Sequence, residues 1–183
     1  MVFPLSLPGP EYRPEALTKL LYERIDIKSE FKYPTDGLLK IRGMLTADDI
    51  NKPNTLDSMG DRIRRVLKRG FKTNTTAGTL SGFMSFVRNY FGNGTTEESL
   101  ELSILPYESE TGTFSKGGDS GATIVSPKGE FVGLLTGGTN KGTDGSDITY
   151  ATLFVYIWEL VLDKFPGANL YWDDIPAFMA ATA

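Results

Sequence analysis

The chain has 183 residues, 40% of them apolar and 23% charged, with 19 basic against 23 acidic side chains and a formal net charge of −4. That size fits one soluble domain with its own core, and the weakly acidic balance gives no general field for phosphate backbones, so no nucleic-acid partner is expected. The sequence holds no cysteine and no histidine, which excludes disulfides, thiolate catalysis, cysteine-bearing zinc sites and any imidazole acting as a ligand or as a base near neutral pH.

No tight acidic loop of the kind calcium needs is present, and neither a metal nor another cofactor is expected. Met1 to Pro10 contains three prolines and no basic region ahead of an apolar run, so it does not read as a secretory signal. No stretch is long and apolar enough to cross a bilayer. The expected location is the cytoplasm, with no membrane partner.

In chain order, residues 1 to 13 read as a proline-rich, extended lead-in. Pro14 then suits a first helical turn, and Leu17, Leu20, Leu21 and Ile25 recur at helical spacing, predicting an amphipathic helix from Glu15 to Ile27. Residues 1–30 form this leading segment. Tyr33-Pro34-Thr35-Asp36-Gly37 marks a turn, Leu38 to Leu45 a short strand, and 46–60 a loop with one helical turn. The run Arg62-Ile63-Arg64-Arg65-Val66-Leu67-Lys68-Arg69-Gly70 is ambiguous between helix and strand. Its cations read either as a solvated face or as a contact for an acidic partner or RNA using Arg62 to Lys72. The solvated face is favoured, because no aromatic residue nearby is arranged for stacking.

Thr73 to Phe91, rich in Thr, Phe and Val and broken by Gly78 and Gly82, predicts strands with a bend. Asn93-Gly94 is a turn signal, and Leu100 to Ile104 alternates as a half-buried strand does. The sequons at Asn74 and Asn93 read as chance matches. Ala122 to Val125, the turn Ser126-Pro127-Lys128-Gly129 and Phe131 to Leu135 form a hairpin. A glycine-rich loop follows from Gly137 to Gly145, then a strand at Ile148 to Thr152 and a closing helix from Leu153 to Phe165, stopped by Pro166-Gly167. Residues 171–183 form a tail.

The segment that carries chemistry is Lys116-Gly117-Gly118-Asp119-Ser120-Gly121-Ala122. A serine between glycines permits a sharp turn that presents the hydroxyl and gathers backbone N–H groups, a geometry suited to an oxyanion hole. Alone, the tetrapeptide reads equally as a surface turn. Its context adds an apolar strand, a Pro-Lys-Gly turn, and then Phe131-Val132-Gly133-Leu134-Leu135-Thr136-Gly137-Gly138.

That order resembles the C-terminal barrel of trypsin-like, chymotrypsin-fold serine peptidases. Val66 to Gly70 looks like the start of that barrel and Ile148 to Thr152 like its last strand. The span from about 31 to 170 is most similar to trypsin-like proteins of mushroom-forming fungi. The resemblance implies a mainly β domain at 31–170, a six-stranded antiparallel Greek-key barrel with an N-terminal and a C-terminal helix. It implies Ser120 as nucleophile, the N–H groups of Gly118 and Ser120 as oxyanion donors, and Asp119 as a residue that orients the loop. Thr136, Gly137 and Gly138 match the strand that pairs with an extended substrate, and Phe114 falls at the base of the specificity pocket, arguing against a basic side chain there. The implied partner is a peptide or protein substrate.

In that family a histidine, oriented by an aspartate, activates the serine. This chain has no histidine, and an unassisted hydroxyl is a weak nucleophile at neutral pH. A Ser-Lys dyad through Lys116 is disfavoured because its glycine loop is wet, and Asp119 is expected to point away from substrate. Two readings stay open. One is the second half of a two-barrel peptidase, inactive alone and completed by an N-terminal barrel that carries the histidine and aspartate. The match beginning inside the chain favours it. The other is a whole pseudopeptidase that binds peptides or scaffolds, favoured by Met1 and by the predicted first helix. The half-barrel reading expects an exposed apolar face to which Phe83, Phe86 and Tyr90 contribute.

Overall fold

A computed structural model describes residues 2–4, 34–53, 55–56, 59–107, 112–139 and 148–170. The predicted helix at 15–27 and the tail at 171–183 lie outside the described residues. A short antiparallel pair joins β1 (Val2–Pro4) to β2 (Leu38–Lys40). The one-turn helix α1 (Ala47–Ile50) is closed by a capping box between Thr46 and Asp49. After β3 (Thr55–Leu56) come β4 (Arg62–Gly70), β5 (Asn74–Tyr90), β6 (Thr96–Pro106), β7 (Thr123–Val125), β8 (Phe131–Gly138) and β9 (Thr149–Leu153). The closing helix is α2 (Phe154–Lys164).

The sheet runs β3-β4-β5-β6-β9-β8-β7, and β4 also pairs with β7. Six antiparallel strands, β4 to β9, therefore close on themselves. Strands β4, β5 and β6 are consecutive, while β7 returns after a long connection to lie beside β4, which makes the barrel a Greek key. The hairpin at the serine is present as read: β7 pairs with β8 around a turn in which the Gly129 N–H donates to the Ser126 carbonyl at 2.9 Å.

Alternation along the strands builds two cores. Val66, Leu80, Leu102, Ile104, Phe114, Ile124 and Val132 fill the barrel. Leu67, Val125 and Phe131 pack on its outer wall beneath Leu39, Ile41 and the start of α2, where Phe131 stacks on Phe154 with ring centroids 4.2 Å apart.

The basic run is a strand, and its cations are largely buried rather than solvated. Closure explains the difference: β4 lies between β5 and β7, with one face in the barrel and the other under the outer-wall core. Arg64, Arg65 and Lys68 are 6%, 5% and 0% exposed. The Arg64 guanidinium donates to the carbonyls of Asp49 and Lys52, tying α1 to the barrel. Arg65 donates to the Thr79 hydroxyl and lies 4.2 Å above the Tyr107 ring. These three cations bond within the fold, while Arg62, Arg69 and Lys72 of the same run are exposed.

Strand β6 also departs from expectation. Glu101 through Ile104 are all buried, in place of a half-buried alternation, because β6 lies between β5 and β9 and Ser103 and Glu101 are hydrogen-bonded to the hydroxyls of Ser85 and Thr152 on those strands. The bend expected in β5 appears as a register irregularity between Leu80 and Met84. Beyond it β5 and β6 continue as a two-stranded arm, with Phe86 opposite Leu100 and Val87 opposite Ser99. Phe83, Phe86, Tyr90 and Leu100 on this arm are exposed.

Candidate functional site

Ser120 is exposed on the loop that leads into β7. The loop closes by two main-chain bonds, Asp119 N–H to the Lys116 carbonyl and Ala122 N–H to the Asp119 carbonyl, both 3.0 Å. Gly118 and Gly121 hold φ of +101° and +81° on either side of the serine, a left-handed backbone that only glycine adopts without strain. The Gly121 N–H then donates to Leu135 at 2.8 Å, anchoring the turn on β8. The N–H groups of Gly118 and Ser120 and the Ser120 hydroxyl have no hydrogen-bond partner among the described residues.

Asp119 faces the other way. Its side chain is fully buried and points into the end of the barrel, where Oδ2 lies 3.4 Å from Lys68 Nζ, itself fully buried. Oδ1 accepts from the N–H groups of Lys72 and Thr73 at 2.7 and 3.3 Å. Oδ2 accepts from the Thr73 hydroxyl at 2.6 Å and the Lys116 N–H at 3.1 Å. Lys68 also donates to the Thr73 hydroxyl, and its ammonium sits 5.4 Å from the centre of the Phe114 ring.

Burial pushes the Asp119 carboxyl up, but the Thr73 hydroxyl, the main-chain donors and the Lys68 charge outweigh it and hold the group at about 2. Burial pushes the Lys68 ammonium down, against the pull of Asp119. A carboxyl depressed from 3.8 to about 2 contributes stability that is complete above pH 4 and disappears as pH falls toward 2. The amount is on the order of 2 kcal/mol. Urea unfolding of the protein and of Asp119→Asn should therefore show a stability gap that narrows by that amount between pH 5 and pH 2, and a constant gap would refute the assignment.

Neither of the two nearby candidate bases is hydrogen-bonded to the serine hydroxyl. Asp119 is committed to Lys68. Lys116 is exposed and makes no hydrogen bond to Ser120, so no Ser-Lys dyad forms among the described residues.

Ser120 opens on a cavity of about 370 Å³. One wall is the end of β8, Thr136 to Gly138. Its Gly137 and Gly138 pair with Tyr150 and Thr149 of β9 on one edge, and no described strand pairs with this segment on the other. Ser115, Lys116 and Gly117 form a second wall, and Val87, Asn89, Ser99 and Glu101 of the β5–β6 arm form a third.

Ser120, Thr136, Gly137 and Gly138 are thus brought together. Phe114 is not with them. Expected at the pocket base, it is 1% exposed inside the barrel, where it packs against Gly78 and beneath Lys68. Its neighbour Ser115 reaches the cavity instead, with its hydroxyl 2.7 Å from that of Thr149.

No protein-family model and no curated protein matches the chain. Among solved structures it is similar to a chymotrypsin of Cellulomonas bogoriensis, at 15% identity and a TM-score of 0.44 over 71% of this chain and 57% of that one. It is also similar to a glutamic-acid-specific serine protease described as using a histidine triad in substrate binding. That match has 14% identity and a TM-score of 0.45 over 74% of this chain and 60% of that one. The chain spans less than two thirds of the length of either.

Lys68, Thr73 and Glu101 were not singled out by the sequence. For Lys68 the available signal was its spacing two residues from Val66 in a run of strand-forming residues, which puts both on one face of β4.

Proposed function

We propose that this chain is the serine-bearing barrel of a trypsin-like peptidase. Ser120 is its acyl-forming nucleophile, and the N–H groups of Gly118 and Ser120 stabilise the tetrahedral oxyanion. The edge from Thr136 to Gly138 pairs with the substrate backbone. Asp119 is a positioning residue, holding the loop from beneath through Lys68. The observation that carries this reading is the conjunction at one cavity of an exposed serine, two N–H groups without partners and an unpaired strand edge.

Hydrolysis requires a histidine and an aspartate from outside this sequence. No described base is hydrogen-bonded to the serine hydroxyl, and the oxyanion site with binding alone gives only a residual enhancement, roughly 10³ to 10⁴ over water in enzymes stripped of their triad. The exposed apolar residues on the β5–β6 arm support a complementing barrel as partner. The second reading, a peptide-binding pseudopeptidase, uses the same cavity and strand edge and is favoured by the absence of histidine.

A fluorophosphonate probe distinguishes activated from idle serine. The isolated chain should remain unlabelled at neutral pH, and addition of a complementing barrel should produce labelling that Ser120→Ala removes. Labelling of the chain alone at Ser120 would overturn the requirement for an outside base.

A further inference from the structure

Beyond the irregularity at Leu80 the β5–β6 arm leaves the barrel as a ribbon of two strands, and its two faces differ. Met84 lies opposite Leu102, which fills the barrel core, so the alternate positions Phe86, Arg88 and Tyr90 of β5 share that side with Glu98 and Leu100 of β6. Val87 and Ser99, on the other side, line the cavity. On the first face Phe86, Leu100 and Tyr90 are 60%, 64% and 75% exposed. No described strand pairs with 83–90 or 96–101 on the outer edges of the arm, and a two-stranded ribbon with an uncovered apolar face is marginally stable in water. The charges are distributed unequally as well. The apolar face carries Arg88 and Glu98, joined as an ion pair, and is neutral, whereas the cavity side of the ribbon carries Glu97 and Glu101 with no basic residue.

We infer that this face is the contact between two copies of the chain, packed about a two-fold axis. Such a contact sets one patch against itself, so a patch with net charge would repel its own copy. Here one cation and one anion stand side by side between apolar residues, and the two-fold turns each Arg88 toward the Glu98 of the other copy. The area is sufficient too. Met84, Phe86, Tyr90 and Leu100 expose on the order of 500 Å² of side-chain surface, more than a scattering of single residues would. Two such faces together bury about 1,000 Å², the lower bound of a specific contact. The ribbon needs cover whenever the chain is folded, and another copy accompanies it in any solution of the protein. The dimer goes beyond the peptidase reading and does not rest on it; a complementing barrel that used the arm would have to displace the second copy.

Sedimentation equilibrium of the full chain up to about 200 µM tests the contact, a range suited to an interface at the small end of the scale. The mass should rise from one chain to two and level there. Phe86→Thr with Leu100→Thr removes surface that a single chain exposes and keeps strand-forming residues. It should weaken association roughly tenfold or more while melting like the parent at low concentration. Phe71→Thr, at an 84% exposed aromatic off the arm, should leave association unchanged. Arg88→Glu and Glu98→Arg should each be monomeric alone, and mixing them should restore a two-chain species. A parent that stays single at the highest concentration overturns the inference, whether its arm then binds phosphatidylcholine vesicles or shows slow amide exchange under cover of its own chain. So does a dimer that Phe86→Thr with Leu100→Thr leaves intact, a mixture of the charge variants no larger than its components, or assembly that grows past two chains, which a closed two-fold contact does not allow. None of these measurements involves Ser120, so the peptidase reading stands or falls separately.

Discussion

Asp119→Asn should destabilise the barrel by about 3 to 5 kcal/mol, because it strips a fully buried ammonium of its counter-charge. Lys68 Nζ has the Asp119 carboxylate at 3.4 Å, the Thr73 hydroxyl and the Phe114 ring as neighbours, and only the first carries charge. Adding Lys68→Met to Asp119→Asn removes the stranded cation as well. Equilibrium urea unfolding should then show more than half of the lost stability restored. A double variant no more stable than the single one would mean that the two side chains are not energetically coupled. A positioning role makes a further demand: amide exchange at Lys116 and Lys72, whose N–H groups bond the same carboxylate, should accelerate in Asp119→Asn more than exchange in the centre of β6.

Phe114→Ala should cost about 3 to 5 kcal/mol, as expected for a large aromatic truncated in a packed interior, whereas Phe114→Leu should cost less than about 1.5 kcal/mol. The ring is 1% exposed and in contact with the backbone at Gly78. Neither change should shift the amide resonances of Thr136 to Gly138 on the cavity wall in an NMR spectrum. Shifts there with little loss of stability would return Phe114 to the pocket.

The strand sequence of the barrel was legible because its punctuation is local. Asn93-Gly94, Ser126 to Gly129 and Pro166-Gly167 mark ends, and the apolar runs between them have strand or helix length. The inward turn of Asp119 was also expected. What one-dimensional reading missed depends on closure. Nothing within Arg62 to Gly70 says that β7 will return to cover it, so its cations looked solvated, and Lys68 could not be matched with an aspartate 51 positions away. Phe114 stands six residues before Ser120, where the resemblance implies the pocket base. Alternation exchanges core and cavity with each single step along an extended chain, and Ser115 took the place expected for it. Glu101 was hidden inside an alternating pattern that predicts exposure, because the Thr152 hydroxyl that donates to it belongs to β9, about 50 residues further on.

An internal cation beneath the serine loop has a bearing on control. Since β4 itself supplies the charge that seats Asp119, the arrangement of the loop around Ser120 is tied to the folding of the barrel. On the proposed reading, on-off behaviour then resides in whatever delivers a proton acceptor to the hydroxyl, which would move the switch from the loop to the arrival of a complementing barrel.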